Sequence, residues 1–165
     1  MSTPAARRAA PRLSAATLLA IGLVVGSLDI GDNLIYNAVR HITPAMVFRY
    51  IASGLLGPAA AVHAGYAAVA LGVVMHYAIA IFWVVLFYRL ARRFAVLLRR
   101  PLISGPLYGA GVYLFMNLVA VPLSRLPPVR SAVTLTNRIN GILAVVLLVG
   151  LGSALLVRRS LRRAP

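Results

Sequence analysis

Asp29 and Asp32 are the only acidic side chains in this 165-residue chain, and both fall inside its first long apolar stretch. A carboxylate in hydrocarbon is costly unless it faces a bundle interior, a partner or a water-filled cavity. Two carboxylates one helical turn apart can share a proton or hold a cation. His76 sits inside the second apolar stretch. Histidine titrates near neutral pH when unperturbed, so an Asp–His pair can exchange a proton. The competing reading is hydrogen bonding that only fixes helix packing, at about 0.6–2 kcal/mol per bond. Asparagine would serve packing at a smaller desolvation cost, so the aspartates point to function. The neighbouring Asn and Tyr residues point to packing.

The segment that positions the aspartates runs from Gly22 to Arg40. Gly22, Gly26, Asp29, Asn33, Tyr36 and Arg40 follow one another at spacings of four and three, and so share one helix face. The Gly22-x-x-x-Gly26 pair on that stripe reads as a close helix contact inside the bundle.

Hydrophobic residues make up 61% of the chain, well above the roughly 45–50% of soluble domains. The net charge of +15 comes from 17 arginines with no lysine. These cluster at the ends of apolar runs, as membrane orientation requires, not on a face or motif suited to nucleic acid. With no cysteine there is no thiolate metal site or cysteine nucleophile. HExxH, GxSxG, P-loop and GxGxxG elements are lacking in any suitable context. We therefore expect no enzyme activity, no metal and no cofactor.

Four spans are expected, at about 13–39, 59–88, 102–124 and 139–157, with tails at 1–12 and 158–165. Residues 43–57 are too few to cross a bilayer, which takes about 20 apolar residues. Thr43 as N-cap and Pro44 at the first position open a short helix there. It reads as interfacial, with a re-entrant segment as the alternative. The Pro-rich connection 125–136 reads as an ordered turn. The expected fold is thus an all-α membrane protein, four transmembrane helices with a short interfacial helix between the first and second.

Four spans put both tails on one side, with 12 arginines there and five opposite. The positive-inside rule then places both tails in the cytoplasm. The arginines on that side suit anionic headgroups of the bilayer. A homo-oligomer or another membrane protein is a further partner open to such a chain.

At about 1.5 Å per residue, Asp29, His76, Asn117 and Asn140 each lie some 20–27 Å above the nearest tail-side arginine. One polar residue from each span thus reaches a similar depth. Ala68, Gly72 and His76 repeat at four-residue spacing in the second span, and Gly105, Gly109, Tyr113 and Asn117 do so in the third. The expected site is a polar layer of Asp29, Asp32, Asn33, His76, Tyr113, Asn117 and Asn140. Gly22, Gly26, Ala68, Gly72, Gly105 and Gly109 supply the close contacts around it.

The segments IASGLLGPAA (51–60), LGVVMHYAIAI (71–81) and LYGAGVYLFMNLVAVPLS (107–124) resemble a group of small, uncharacterised bacterial inner-membrane proteins. The resemblance covers the middle half of the chain, chiefly Ser53-Gly54, His76, Tyr108-Gly109, Met116-Asn117 and Pro122-Leu123-Ser124. It implies a four-helix inner-membrane protein and carries no mechanism. Transport linked to a proton or cation, or a role in stress response, is the leading functional expectation. A non-catalytic structural or assembly subunit is the alternative.

Overall fold

A computed structural model describes residues 12–126 and 134–163. Tails 1–11 and 164–165, and most of the Pro-rich connection expected to be a turn, lie outside the described residues. Four helices are long and apolar enough to cross a membrane: α1 (Ala15–Ala38), α4 (Tyr66–Arg93), α6 (Pro101–Leu123) and α7 (Leu135–Arg163). Between the first two lie α2 (Pro44–Leu56) and α3 (Pro58–His63), and α5 (Val96–Arg99) links α4 to α6. No strand occurs among the described residues. The expected all-α architecture with four spans and a short helix after the first is what the chain adopts.

Local chemistry sets the boundaries. The Ser14, Thr43 and Thr134 side chains accept the backbone N–H three residues on, capping α1, α2 and α7, the usual role of hydroxyl residues at helix starts. Thr134 thereby starts the last helix earlier than the expected 139. That helix also continues past 157, because Arg162 and Arg163 favour the negative end of the helix dipole. The expected second span, 59–88, is instead two elements. Pro58 opens α3, and Gly65, at φ +56, breaks the chain before α4 begins. At its other end α4 runs on through Arg89, Arg92 and Arg93, past the expected end at 88.

The four long helices form a ring. α1 packs on α4 and α7, and α6 packs closely on α7. The remaining side, α4 to α6, is filled by aromatic rings. Trp83 and Phe87 of α4 stack edge-on against Tyr108, Trp83 does the same to Phe115, and Tyr108 Oη donates to the Trp83 carbonyl at 2.6 Å. Val25, Val84, Phe87 and Val157 form the fully buried centre. Leu19, Leu23, Leu28, Val74 and Phe82 point outward instead. Water gives such a surface no reason to exist; lipid does.

Glycines set the closest approaches. A Cβ on Gly22 would stand 2.9 Å from the Ile81 Cα, and one on Gly109 would stand 2.7 Å from the Val146 Cα. A Cβ on Gly105 would come to 2.8 Å from the Leu151 Cα. Opposite Gly105 and Gly109, α7 widens into a π-helical stretch, Val145–Leu151. A second such stretch, Met116–Ala120, lies in α6 ahead of Pro122. Pro122 has no N–H, and its ring crowds the carbonyl one turn back. The wider turn accommodates it, and the Val121 N–H bonds the Met116 carbonyl.

Helix α2 lies along α4, joined so closely that a Cβ on Gly72 would collide with the Phe48 carbonyl. Ala52, Ala61 and Ala68 close a small second core between α2, α3 and α4. The far end of α2 reaches the end of α6, where the Arg125 N–H donates to the Gly54 carbonyl at 2.9 Å. The short helix is thus a strap over one end of the bundle. The start of α1 and the ends of α4 and α7 meet at the opposite end.

Candidate functional site

The site begins with a glycine. At Gly26 the absence of a side chain brings α4 against α1, and a Cβ there would stand 3.0 Å from both the Ala80 Cβ and the Tyr77 ring. That approach puts His76 Nε2 2.9 Å from the Gly26 carbonyl oxygen. A carbonyl only accepts, so Nε2 carries the hydrogen, and Nδ1 is the ring nitrogen outside this bond. The ring also meets Tyr77 edge-on, with centroids 5.3 Å apart. Tyr77 in turn shares a 3.0 Å hydrogen bond with Ser27 Oγ. His76 is therefore fixed in orientation, not free to rotate.

Asp29 lies three residues beyond Gly26 on α1, half-buried, one helical turn from the carbonyl that meets His76 and one turn before Asp32. Asp32 is half-buried one turn further and faces a different helix. Asn140 Nδ2 of α7 donates to Asp32 Oδ2 at 3.0 Å. The two aspartates thus have different neighbours: Asp29 belongs with the α4 histidine, Asp32 with the α7 asparagine.

The expected layer is narrower than its seven residues. Tyr113 is half-buried, its ring beside Gly141 and 3.7 Å from where a Cβ would stand. Asn117 is exposed and donates to the Tyr113 carbonyl of its own helix at 2.9 Å. Asn33 is exposed too, and its side-chain and backbone oxygens both accept from Asn37. Asn117 and Asn33 satisfy themselves along one helix, so neither joins the others. A depth ruler and a face count cannot distinguish an inward asparagine from one bonded back onto its own turn.

Among the small residues, Gly22 and Gly26 meet α4, while Gly105 and Gly109 meet α7. Ala68 and Gly72 face α2, not another spanning helix, so the strip they form does not lead to His76's partner. Sequence reasoning passed over Tyr77 and Ser27, which brace the histidine, and Gly150, whose Cβ would stand 2.6 Å from the Gly109 Cα. The Gly150-x-Gly152 pair was a legible signal. His63 and His41 are exposed, away from His76, and no group of three potential metal ligands occurs among the described residues.

Fold and lipid-facing surface together define a multi-pass α-helical membrane protein. Compared with protein-family models, curated proteins and solved structures, the chain matches none.

Proposed function

We propose that this is a small multi-pass protein of the inner membrane, both termini cytoplasmic, that binds a proton or small cation at Asp29 and His76. Binding there serves coupled transport or a response to stress, and it involves no bond-making chemistry on a substrate. The observation that carries the reading is His76 held by Gly26 through Nε2, with the half-buried Asp29 one helical turn along α1 from that carbonyl. With Nε2 committed, Nδ1 is the ring nitrogen left to pass a proton to or from the Asp29 carboxylate, by way of water between them. A pair built only for packing would not need a carboxylate.

The test is proton uptake into liposomes containing the purified protein, driven by an imposed membrane potential and read by an internal pH dye. Wild type and Asp32→Asn take up protons, whereas Asp29→Asn and His76→Gln do not. Uptake by Asp29→Asn at the wild-type rate, or none by wild type, ends this reading. A second reading, an assembly subunit, is favoured by the Asp32–Asn140 bond, which ties α1 to α7 with no evident chemical use. Absence of flux together with reproducible co-purification of one membrane partner is the result it requires.

A further inference from the structure

At the bundle end where α1 begins and α4 stops, a cleft of about 550 Å³ opens between the two helices. Arg12, Arg89, Arg92 and Arg93 line it, and Leu18 and Val85 form an apolar wall continuing toward the membrane. The cleft is held shut at its base, because the Leu13 N–H donates to Tyr88 Oη at 3.1 Å and Tyr88 is itself buried. The Arg92 guanidinium lies 5.9 Å from the centre of the Tyr88 ring, which steers it to the same place.

These four cations have no side-chain anion to face. The chain's two carboxylates, Asp29 and Asp32, stand about 25–30 Å along α1 from Arg12 at 1.5 Å per residue. Guanidinium groups stay charged at any physiological pH. Four of them gathered in one cleft repel one another unless an anion from outside joins them. The guanidinium fork matches phosphate oxygens two at a time. Beside the arginines, the Leu18 and Val85 wall suits hydrocarbon, not a small ion in water. A second arginine-lined hollow, formed by Arg158, Arg159, Arg162 and Arg163 with Leu155, is built from α7 alone and has no such wall from a second helix.

We propose that the α1–α4 cleft is a binding site for one anionic phospholipid, its phosphate held by Arg12, Arg89, Arg92 and Arg93 and an acyl chain lying along Leu18 and Val85. The inference rests on the membrane fold and is independent of the Asp29–His76 reading. The lipid joins the N-terminal end of α1 to the C-terminal end of α4 and so stabilises the folded bundle.

The experiment uses the full-length protein, delipidated in a neutral detergent. Thermal unfolding is followed after addition of phosphatidylglycerol, phosphatidylcholine with the same acyl chains, or inorganic phosphate. Phosphatidylglycerol raises the midpoint by about 4 °C or more, while the other two leave it within error. The Arg89→Gln/Arg92→Gln variant loses this shift, and Arg162→Gln/Arg163→Gln keeps it. Native mass spectrometry of the wild type, which depends on no variant, shows one retained phosphatidylglycerol and no retained phosphatidylcholine. Equal shifts with both lipids, equal loss in both variants, or no retained lipid overturns the proposal. A shift reproduced by phosphate alone also overturns it, by making the cleft a site for free anions.

Discussion

His76 Nε2 and the Gly26 carbonyl oxygen, 2.9 Å apart, join α4 to α1 at the level where the first carboxylate appears. That carbonyl is already part of the α1 backbone ladder, so the histidine's hydrogen bond is an added link, not the filling of a vacancy. His76→Phe keeps the ring volume and loses the donor. It should lower stability by about 0.6–1.7 kcal/mol, the range measured for interhelical hydrogen bonds in membranes. Unfolding in detergent by a mild chemical denaturant measures this. No loss at all means that packing around Gly26, not the hydrogen bond, joins the helices.

The two aspartates should respond differently to neutralisation. Asp32→Asn keeps an oxygen to accept from Asn140, so stability stays near wild type, while Asp32→Ala loses about 0.6–1.7 kcal/mol with the bond. Asp29→Asn removes a charge from a half-buried position in the membrane and leaves the protein as stable as wild type or more so. Thermal unfolding of all three from pH 5 to pH 8 gives the comparison. An Asp29→Asn variant that fails to assemble makes that carboxylate a structural element of the bundle.

The sequence announces its membrane helices because hydropathy and arginine placement are properties of the chain alone. Capping is nearly as legible: Thr43 and Pro44 mark the start of α2 without any knowledge of its neighbours. What stayed hidden depends on contacts. Gly65 breaks the second apolar run at a positive φ, yet in sequence it is one small residue among many. The Ala68–Gly72 strip was visible as a close-contact surface, but that its partner is α2 follows from how the chain folds back. Asn33 and Asn117 match inward positions by spacing and depth, and only the bonds they make within their own helices show otherwise.

Glycine substitutions separate contact from mere helix propensity. A Cβ at Gly72 runs into the Phe48 backbone, which cannot swing aside as a flexible side-chain tip would. Gly72→Ala should cost about 1–3 kcal/mol, as overpacking generally does, and loosen α2 from the bundle. Gly31 and Gly111 have nothing within 4 Å of their Cβ positions, so alanine there should be neutral or stabilise by up to about 1 kcal/mol. Thermal unfolding ranks the three variants, and faster proteolysis around Gly57 in Gly72→Ala reports the loosened strap. Equal midpoints for Gly72→Ala and Gly31→Ala would show that α2 is not held at Gly72.

The chain's single tryptophan is a built-in reporter. Trp83 is buried between Phe82, Tyr108 and Phe115, so its emission should be blue-shifted and resist aqueous quenchers. Tyr108→Phe removes the 2.6 Å bond to the Trp83 carbonyl but leaves the edge-on ring. Emission should hardly move, while stability falls by about 0.6–1.7 kcal/mol. Phe115→Ala opens the indole to lipid and should change its emission more than Tyr108→Phe does. The reverse order would place the indole's main contact at Tyr108.

Orientation can be tested with little disturbance because the chain has no cysteine of its own. Arg99 and His63 are exposed, and they lie at the arginine-rich and strap ends of the bundle respectively. With ten arginines at the first end and four at the other among the described residues, the first should face the cytoplasm. In spheroplasts, a membrane-impermeant maleimide should label His63→Cys at once, and Arg99→Cys only after permeabilisation. Removing Arg99 takes one positive charge from the retained side, so Ser160→Cys, on the last turn of α7, serves as a control that leaves every arginine in place. Early labelling of both Arg99→Cys and Ser160→Cys, with His63→Cys protected, inverts the topology. The half of the membrane that holds Asp29 and His76 would then face the cytoplasm, and a proton reaching them would come from inside the cell.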